Sequence, residues 1–326
     1  MPELKKIHFR EVRGFSELFN ASINFIRQNF GHFFRCLLFI AGPFLLLTGI
    51  CTAYYQQAII QGQVNYMDSA FGNPFAQMLS KVFSWMYFAA LLLKTLSSLA
   101  LMGTVYEYML LYNAKGPRNF TVNDVGRALW RDAGNLLWTF LCMLFWSAVF
   151  IAVIVLIYVG FYKLSPGLFI AMAVMGVIGL LLILFPLLYY VSSIYLVRVN
   201  ERIGFLEAAG RAFYLLKGSY WWTWVIFICV YFMLLFIIGI FAVPQAILNG
   251  IVTFSSVEHG VSDKMAIVHL VFTAATAFFS EFIYFVMMVF IGFHYFSLTE
   301  KKEGTGLLER IDEIGTRKET SVEGEY

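Results

Sequence analysis

Four ionisable side chains interrupt long apolar runs of this chain: Lys94 and Glu107 in one run, Glu281 and His294 in another. A charge taken into hydrocarbon costs several kcal/mol unless it is partnered or snorkels to an interface. Such residues therefore stand for an ion or proton path, a ligand clamp, or a lock between helices. Lys94 and Glu107 are 13 residues apart, about 20 Å along a helix, which sets them near opposite ends of a membrane core. No catalytic pattern accompanies them. The five histidines (His8, His32, His259, His269, His294) never fall at ligand spacing, and HExxH, GxSxG, Walker A and paired-aspartate patterns are absent. The expectation is a protein that is not an enzyme and needs no cofactor or metal. His259 with Glu258 and Asp263 could hold a cation weakly, but a solvated charged loop accounts for them more simply. Cys36, Cys51, Cys142 and Cys229 lie inside apolar runs without metal or oxidoreductase spacing, and read as small packing residues.

The runs themselves set the class. Of 326 residues, 60% are hydrophobic and 13% charged, with a mean hydropathy of +0.75. Soluble domains carry about a quarter charged residues, and a water-facing surface this poor in charge would not stay dispersed. A disordered chain, a disulfide scaffold and a nucleic-acid-binding domain are excluded. The expectation is an all-α membrane protein with six transmembrane helices, because a helix needs about 20 apolar residues to cross the hydrocarbon core. The six stretches are roughly 33–55, 86–112, 136–162, 168–197, 222–243 and 266–298. Pro43, Pro186 and Pro244 lie in them or at their ends, where a kink or a helix end is expected.

Orientation follows from the basic residues. With the N-terminus cytoplasmic, nineteen of the 23 Lys and Arg fall on the inner side, and only Lys81, Lys163 and Lys264 on the outer side. This asymmetry predicts that both termini are cytoplasmic. The first apolar run follows some 32 polar or amphipathic residues and is long enough to span, so it reads as a retained anchor. Of the 35 Phe, 18 Tyr and 7 Trp, the tryptophans Trp138, Trp221, Trp222 and Trp224 sit at span starts, as an interfacial belt would. Residues 245–265 read as an outer loop, and 299–326 as a charged cytoplasmic tail with a short helix at 306–314.

Three segments repeat. An offset of 84 residues aligns Gly126-Arg127-Ala128 with Gly210-Arg211-Ala212, Gly134 with Gly218, and Trp138-Thr139 with Trp222-Thr223. An offset of 190 aligns Gly14-Phe15-x-Glu17 with Gly204-Phe205-x-Glu207. Gly306-Leu307-Leu308-Glu309 starts the pattern again in the tail. The expected unit is a cytoplasmic amphipathic helix followed by a two-span hairpin, repeated at about 14–112, 120–197 and 204–298 within one domain, 1–298. In 205–217 the apolar face predicted to lie on the membrane is Phe205, Leu206, Ala209, Ala212, Phe213 and Leu216, and Gly-Ser before Trp221 and Gly-Asn before Leu136 are read as turns into the bilayer. The repeat register sets Lys94 and Glu281 at one depth and Glu107 and His294 at another. Two intramembrane polar pairs between spans two and six are thus expected, either as packing locks, the preferred reading, or as a polar path.

The Gly-Phe-x-Glu and Gly-Arg-Ala-x5-Gly-x3-Trp-Thr segments, placed before two-span hairpins, resemble a diffuse group of prokaryotic six-span membrane proteins. That group includes the membrane domain of some glycerophosphodiester phosphodiesterases. The resemblance covers nearly the whole chain and implies a protein of the prokaryotic cytoplasmic membrane. The soluble phosphodiesterase domain is absent here, so its activity is not implied. The function expected is a non-catalytic scaffold or accessory subunit of a membrane complex, with membrane lipids and other membrane or cytoplasmic proteins as partners. The alternative is a transporter or lipid-handling protein with a ligand cavity between the repeat units.

Overall fold

The computed structural model describes residues 6–68, 85–164, 166–258 and 262–304. Among these the fold is all-α, without a strand. The helices are α1 (Phe15–Ile40), α2 (Gly42–Asp68), α3 (Trp85–Lys115), α4 (Val122–Leu164), α5 (Pro166–Glu201), α6 (Phe205–Leu216), α7 (Tyr220–Glu258), α8 (Asp263–Phe282) and α9 (Phe285–Glu303). Five helical stretches are long and apolar enough to cross a membrane, and α1 with α2, bent by 58° at their junction, makes a sixth if taken as one span. The chain is thus a multi-pass membrane protein. The repeat motif Gly306–Glu309, Gly72, Lys81 and His259 lie outside the described residues.

Three helix starts share one device. Gly14 N–H donates to Glu17 Oε2 at 3.0 Å, Thr121 N–H to Asp124 Oδ2 at 2.8 Å, and Gly204 N–H to Glu207 Oε2 at 3.4 Å. Each is a carboxylate in the first turn capturing the backbone donor that precedes it, and each places negative charge where the helix dipole favours it. Thr121 also returns its hydroxyl to Asp124 N–H at 3.3 Å, which a glycine cannot do.

Two expected turns differ in kind. The turn before α7 is real: Gly218 has φ +85°, a conformation that a side chain resists. The turn expected at Gly134 does not form, since α4 continues through it as one helix of 43 residues. A Gly-Asn pair lowers helix propensity by about 1 kcal/mol, too little to stop a run with no proline and no left-handed residue. The first span also shifts. Residues 33–40 belong to α1, and the chain bends at Ala41, where Gly42 and Pro43 open α2 in the first turn that tolerates proline. The expected loop 245–265 is largely helix as well. Pro244 lies inside α7, which runs on to Glu258; membrane helices tolerate an internal proline where other groups can take up the carbonyl it frees.

The chain forms two compact units, whose boundaries fall within α1, α3, α7 and α9. The first comprises the described residues within Met1–Phe30, Tyr106–Val230 and Met288–Tyr326. Its centre is aromatic: Phe9 stacks on Tyr112 with centroids 5.5 Å apart and meets Phe25, Phe293 and Phe296 at 5.6, 4.9 and 5.3 Å. Such edge-to-face contacts add to burial in fixing a unique packing. Arg13 is buried beside them, donating to Phe9 O at 2.9 Å and lying over the Phe293 ring. Within this unit α6 packs on α5 through Ala208, Ala212, Leu215 and Leu216, whereas Leu206 and Phe213 are exposed. Of the face expected to lie on the membrane, Leu206 and Phe213 are free of the protein while Ala212 and Leu216 are buried against it.

The second unit comprises the described residues within Gly31–Val105 and Tyr231–Met287. Its closest pair is α2 with α8. Gly49 lies so near the carbonyl of Ala274 that a Cβ there would come within 2.7 Å of its oxygen. Small residues at such a crossing let backbones touch, the main source of packing energy where lipid competes with side chains.

Candidate functional site

The first unit holds an arginine-lined cleft of about 520 Å³ between the start of α4 and the α5–α6 turn, lined by Arg131, Asp132, Asn135, Arg198, Arg202 and Gly204, with Ile203. Arg198 lies in the last turn of α5 and Arg202 just past its end, and both line the cleft. Arg198 donates through Nη1 to Asn135 O at 2.9 Å and to Thr139 Oγ1, and through Nη2 to Asn135 Oδ1 at 3.3 Å. This stitches α5 to α4. Its Nε is buried and has no hydrogen-bond partner among the described residues. Arg202 has φ +55° in the turn after α5, an uncommon conformation for a side-chain-bearing residue. Its side chain is exposed and donates no hydrogen bond to the described residues. Arg131 is held by Asp132 through Nε at 3.2 Å and Nη2 at 2.9 Å.

Glu107 is 3% exposed beneath this group. Asp132, Arg131 and Arg202 are its charged neighbours, and its Oε1 has no hydrogen-bond partner among the described residues. His294 lies elsewhere. Its Nε2 is 2.9 Å from Thr223 Oγ1, with the Tyr189 and Phe227 rings at 5.0 and 5.7 Å. The expected pairing of Glu107 with His294 is therefore not made. A matched register along two helices does not fix their azimuth, and here α7 supplies the partner of His294.

Lys94 and Glu281 do meet, Nζ to Oε1 at 2.7 Å, within the second unit. The same unit carries a polar network: Gln245 Nε2 donates to Asn249 Oδ1 and to Thr273 Oγ1, each at 2.7 Å, and Asn249 Oδ1 is 2.7 Å from His269 Nε2. His269 and Thr273 are both buried.

The glycines and charges of the repeat take varied roles. Gly14, Glu17, Gly204 and Glu207 form the helix starts already described. Arg127 pairs with Asp124 at 2.8 Å on an open surface. Its counterpart Arg211 instead bridges Glu201 at 3.2 Å and Glu303, joining α6 to the ends of α5 and α9. Glu201 is also the acceptor of the Tyr295 hydroxyl at 2.9 Å. Lys302 completes the joint by donating to Lys217 O at 2.9 Å and to Tyr214 O, at the last turn of α6. Gly126 lies within α4, and Gly210 faces open space.

Arg131, Arg198 and Arg202 entered the sequence argument only as orientation charges. The four-residue spacing of Arg198 and Arg202 at the end of one apolar run, with Arg131 before the preceding run, is the signal that could have joined them. Gln245 and Asn249 were hidden by the loop expected after Pro244. Among the described residues, no group of three or more His, Cys, Asp or Glu is placed to hold a metal ion. Comparison with models of protein families, with curated proteins and with solved structures finds no match to this chain.

Proposed function

We propose that the protein is a non-catalytic scaffold or accessory subunit of a membrane complex, held in a prokaryotic cytoplasmic membrane with both termini cytoplasmic. The observation that carries this reading is the bareness of α4. The most apolar window of Val122–Val159 has 0% of its residues buried within the chain, against 22–44% in the other apolar helices. Leu141, Leu144, Phe145, Trp146, Phe150 and Ile151 are all exposed along it. A membrane-crossing stretch that buries none of its residues within its own protein is suited to packing against another one. Three of the intramembrane ionisable groups support the same reading, since Lys94 pairs with Glu281 and His294 meets Thr223 within the chain. The carboxylate-capped helices and the Arg211 joint then serve as a rigid cytoplasmic platform.

Copurification from native membranes in mild detergent tests this. A second polypeptide should accompany the wild-type chain at a fixed ratio and be lost from Ile151→Asp, which charges the bare face without touching the packed helices. Purification of the wild-type chain alone, at every detergent concentration, would remove the reading. The second reading, lipid handling, is favoured by one observation, the arginine-lined cleft.

A further inference from the structure

The cleft at the α4–α5 hairpin has more positive charge than its own fold uses. Three guanidinium groups line it against one lining carboxylate, that of Asp132. Arg131 is engaged by that carboxylate, and Arg198 is spent on Asn135 and Thr139 except for Nε, which has no acceptor. The Arg202 side chain is left with no hydrogen bond to described residues, and the left-handed turn at its own backbone holds it at the cleft. Guanidinium forks of this kind match the paired oxygens of a phosphate. A volume of about 520 Å³ exceeds what a lone anion needs and falls in the range of small-ligand sites.

We infer that this cleft binds a phosphate ester, with Arg202 as the principal ligand-facing cation and Arg131 and Arg198 flanking it. Asp132 offsets part of the positive charge, which suits an anion of one or two charges rather than a polyanion. A membrane phospholipid is the source the surroundings favour. Beyond Asn135, the side of α4 that carries Asp132 and Asn135 continues at helical spacing through the exposed Trp138, Trp146 and Val149, a track along which acyl chains can lie while the headgroup phosphate enters the cleft. The inference does not depend on the scaffold reading, because a scaffold and a lipid handler could both carry such a site.

The full-length protein in neutral maltoside micelles is titrated calorimetrically with dioctanoyl phosphatidylglycerol, with dioctanoylglycerol, which has the same chains and no phosphate, and with inorganic phosphate. The phosphatidylglycerol should bind and the dioctanoylglycerol should not. Arg202→Gln should weaken binding about tenfold, the loss of one charge-assisted hydrogen bond, while Arg202→Lys retains most of it. Arg127→Gln removes an equal charge outside the cleft and should change affinity by no more than about twofold. Arg131→Gln, at a half-exposed side chain, is the second probe should Arg202→Gln fail to give a monodisperse protein. If inorganic phosphate binds with the same dependence on Arg202 and competes with the lipid, phosphate recognition stands and its source is a solute. Equal binding of dioctanoylglycerol, or equal losses in Arg202→Gln and Arg127→Gln, would overturn the inference.

Discussion

Lys94 Nζ stands 2.7 Å from Glu281 Oε1, an ion pair joining α3 to α8 inside two helices otherwise suited to lipid. The lysine side chain is 58% exposed within the chain and the glutamate 18%. The pair therefore sits at the margin of its unit, where neither charge has another described ionic partner. In such a setting the pair acts less as a source of net stability than as a constraint on which faces meet.

Removing one member should cost more than removing both. Glu281→Gln alone leaves an ammonium without its counter-charge, and Lys94→Gln with Glu281→Gln leaves two neutral amides that can bond each other. A double-mutant cycle on thermal unfolding in micelles should return a coupling of about 1–3 kcal/mol. Cysteines at positions 94 and 281, in a background lacking the four native ones, should also cross-link with a short reagent. Additive losses without a cross-link would separate the two helices.

The α2–α8 crossing gives the sharpest steric test. Gly49→Ala places a methyl 2.7 Å from a carbonyl oxygen that belongs to backbone and cannot swing away. It should destabilise the fold by about 1–3 kcal/mol. Gly239→Ala in α7, where no atom lies within 4 Å of the new Cβ, should be neutral or gain up to about 1 kcal/mol from helix propensity. Unfolding midpoints of the two variants in the same detergent distinguish them, and equal midpoints would contradict the crossing.

Gly134 and Gly218 are matched in the repeat but should answer oppositely. Gly218→Ala forces a side chain into φ +85°, at a cost of about 1–2 kcal/mol. Gly134→Ala lies inside a continuous helix with open space around it and should stabilise α4 by up to about 1 kcal/mol. Thermal melts of the pair decide whether alignment in sequence means equivalence in structure.

Orientation in the membrane has its own test. The asymmetry of nineteen basic residues against three predicts that a reporter fused after Tyr326 and one inserted near Gly116 both read as cytoplasmic, and that an insertion near Gly72 does not. An external signal at Gly116 would reverse the orientation of the α3–α4 connection and remove the proposed cytoplasmic placement of the arginine cleft.

What the sequence could carry was set by the strength of each signal. Six apolar runs mark the five helical stretches, and the bent α1–α2 pair, that are apolar enough to cross a membrane, because hydropathy summed over about 20 positions outweighs local detail. Ends were harder. Pro244 suggested a stop, yet α7 continues to Glu258, since a membrane helix can satisfy a freed carbonyl by other means. Gly134 suggested a turn and gave none, whereas Gly218, with the same residue type, turns the chain; the difference is backbone dihedral, which composition does not encode. The register of the two runs anticipated the Lys94–Glu281 contact, but helix rotation was not readable, so Thr223 could not be foreseen as the partner of His294. The cleft escaped for a related reason: Arg131 and Arg198 are 67 residues apart in sequence, and only the antiparallel return of α5 along α4 unites them.

The bare face of α4 is where the proposed scaffold role is most exposed to refutation. A photo-reactive phenylalanine analogue at Phe150, 65% exposed in the middle of that face, can be activated in intact native membranes and its adducts weighed by mass spectrometry after purification under denaturing conditions. The account predicts an adduct with one discrete polypeptide other than this chain, lost when Ile151→Asp is introduced beside the probe. Adducts with lipid alone, unchanged by Ile151→Asp, would contradict it.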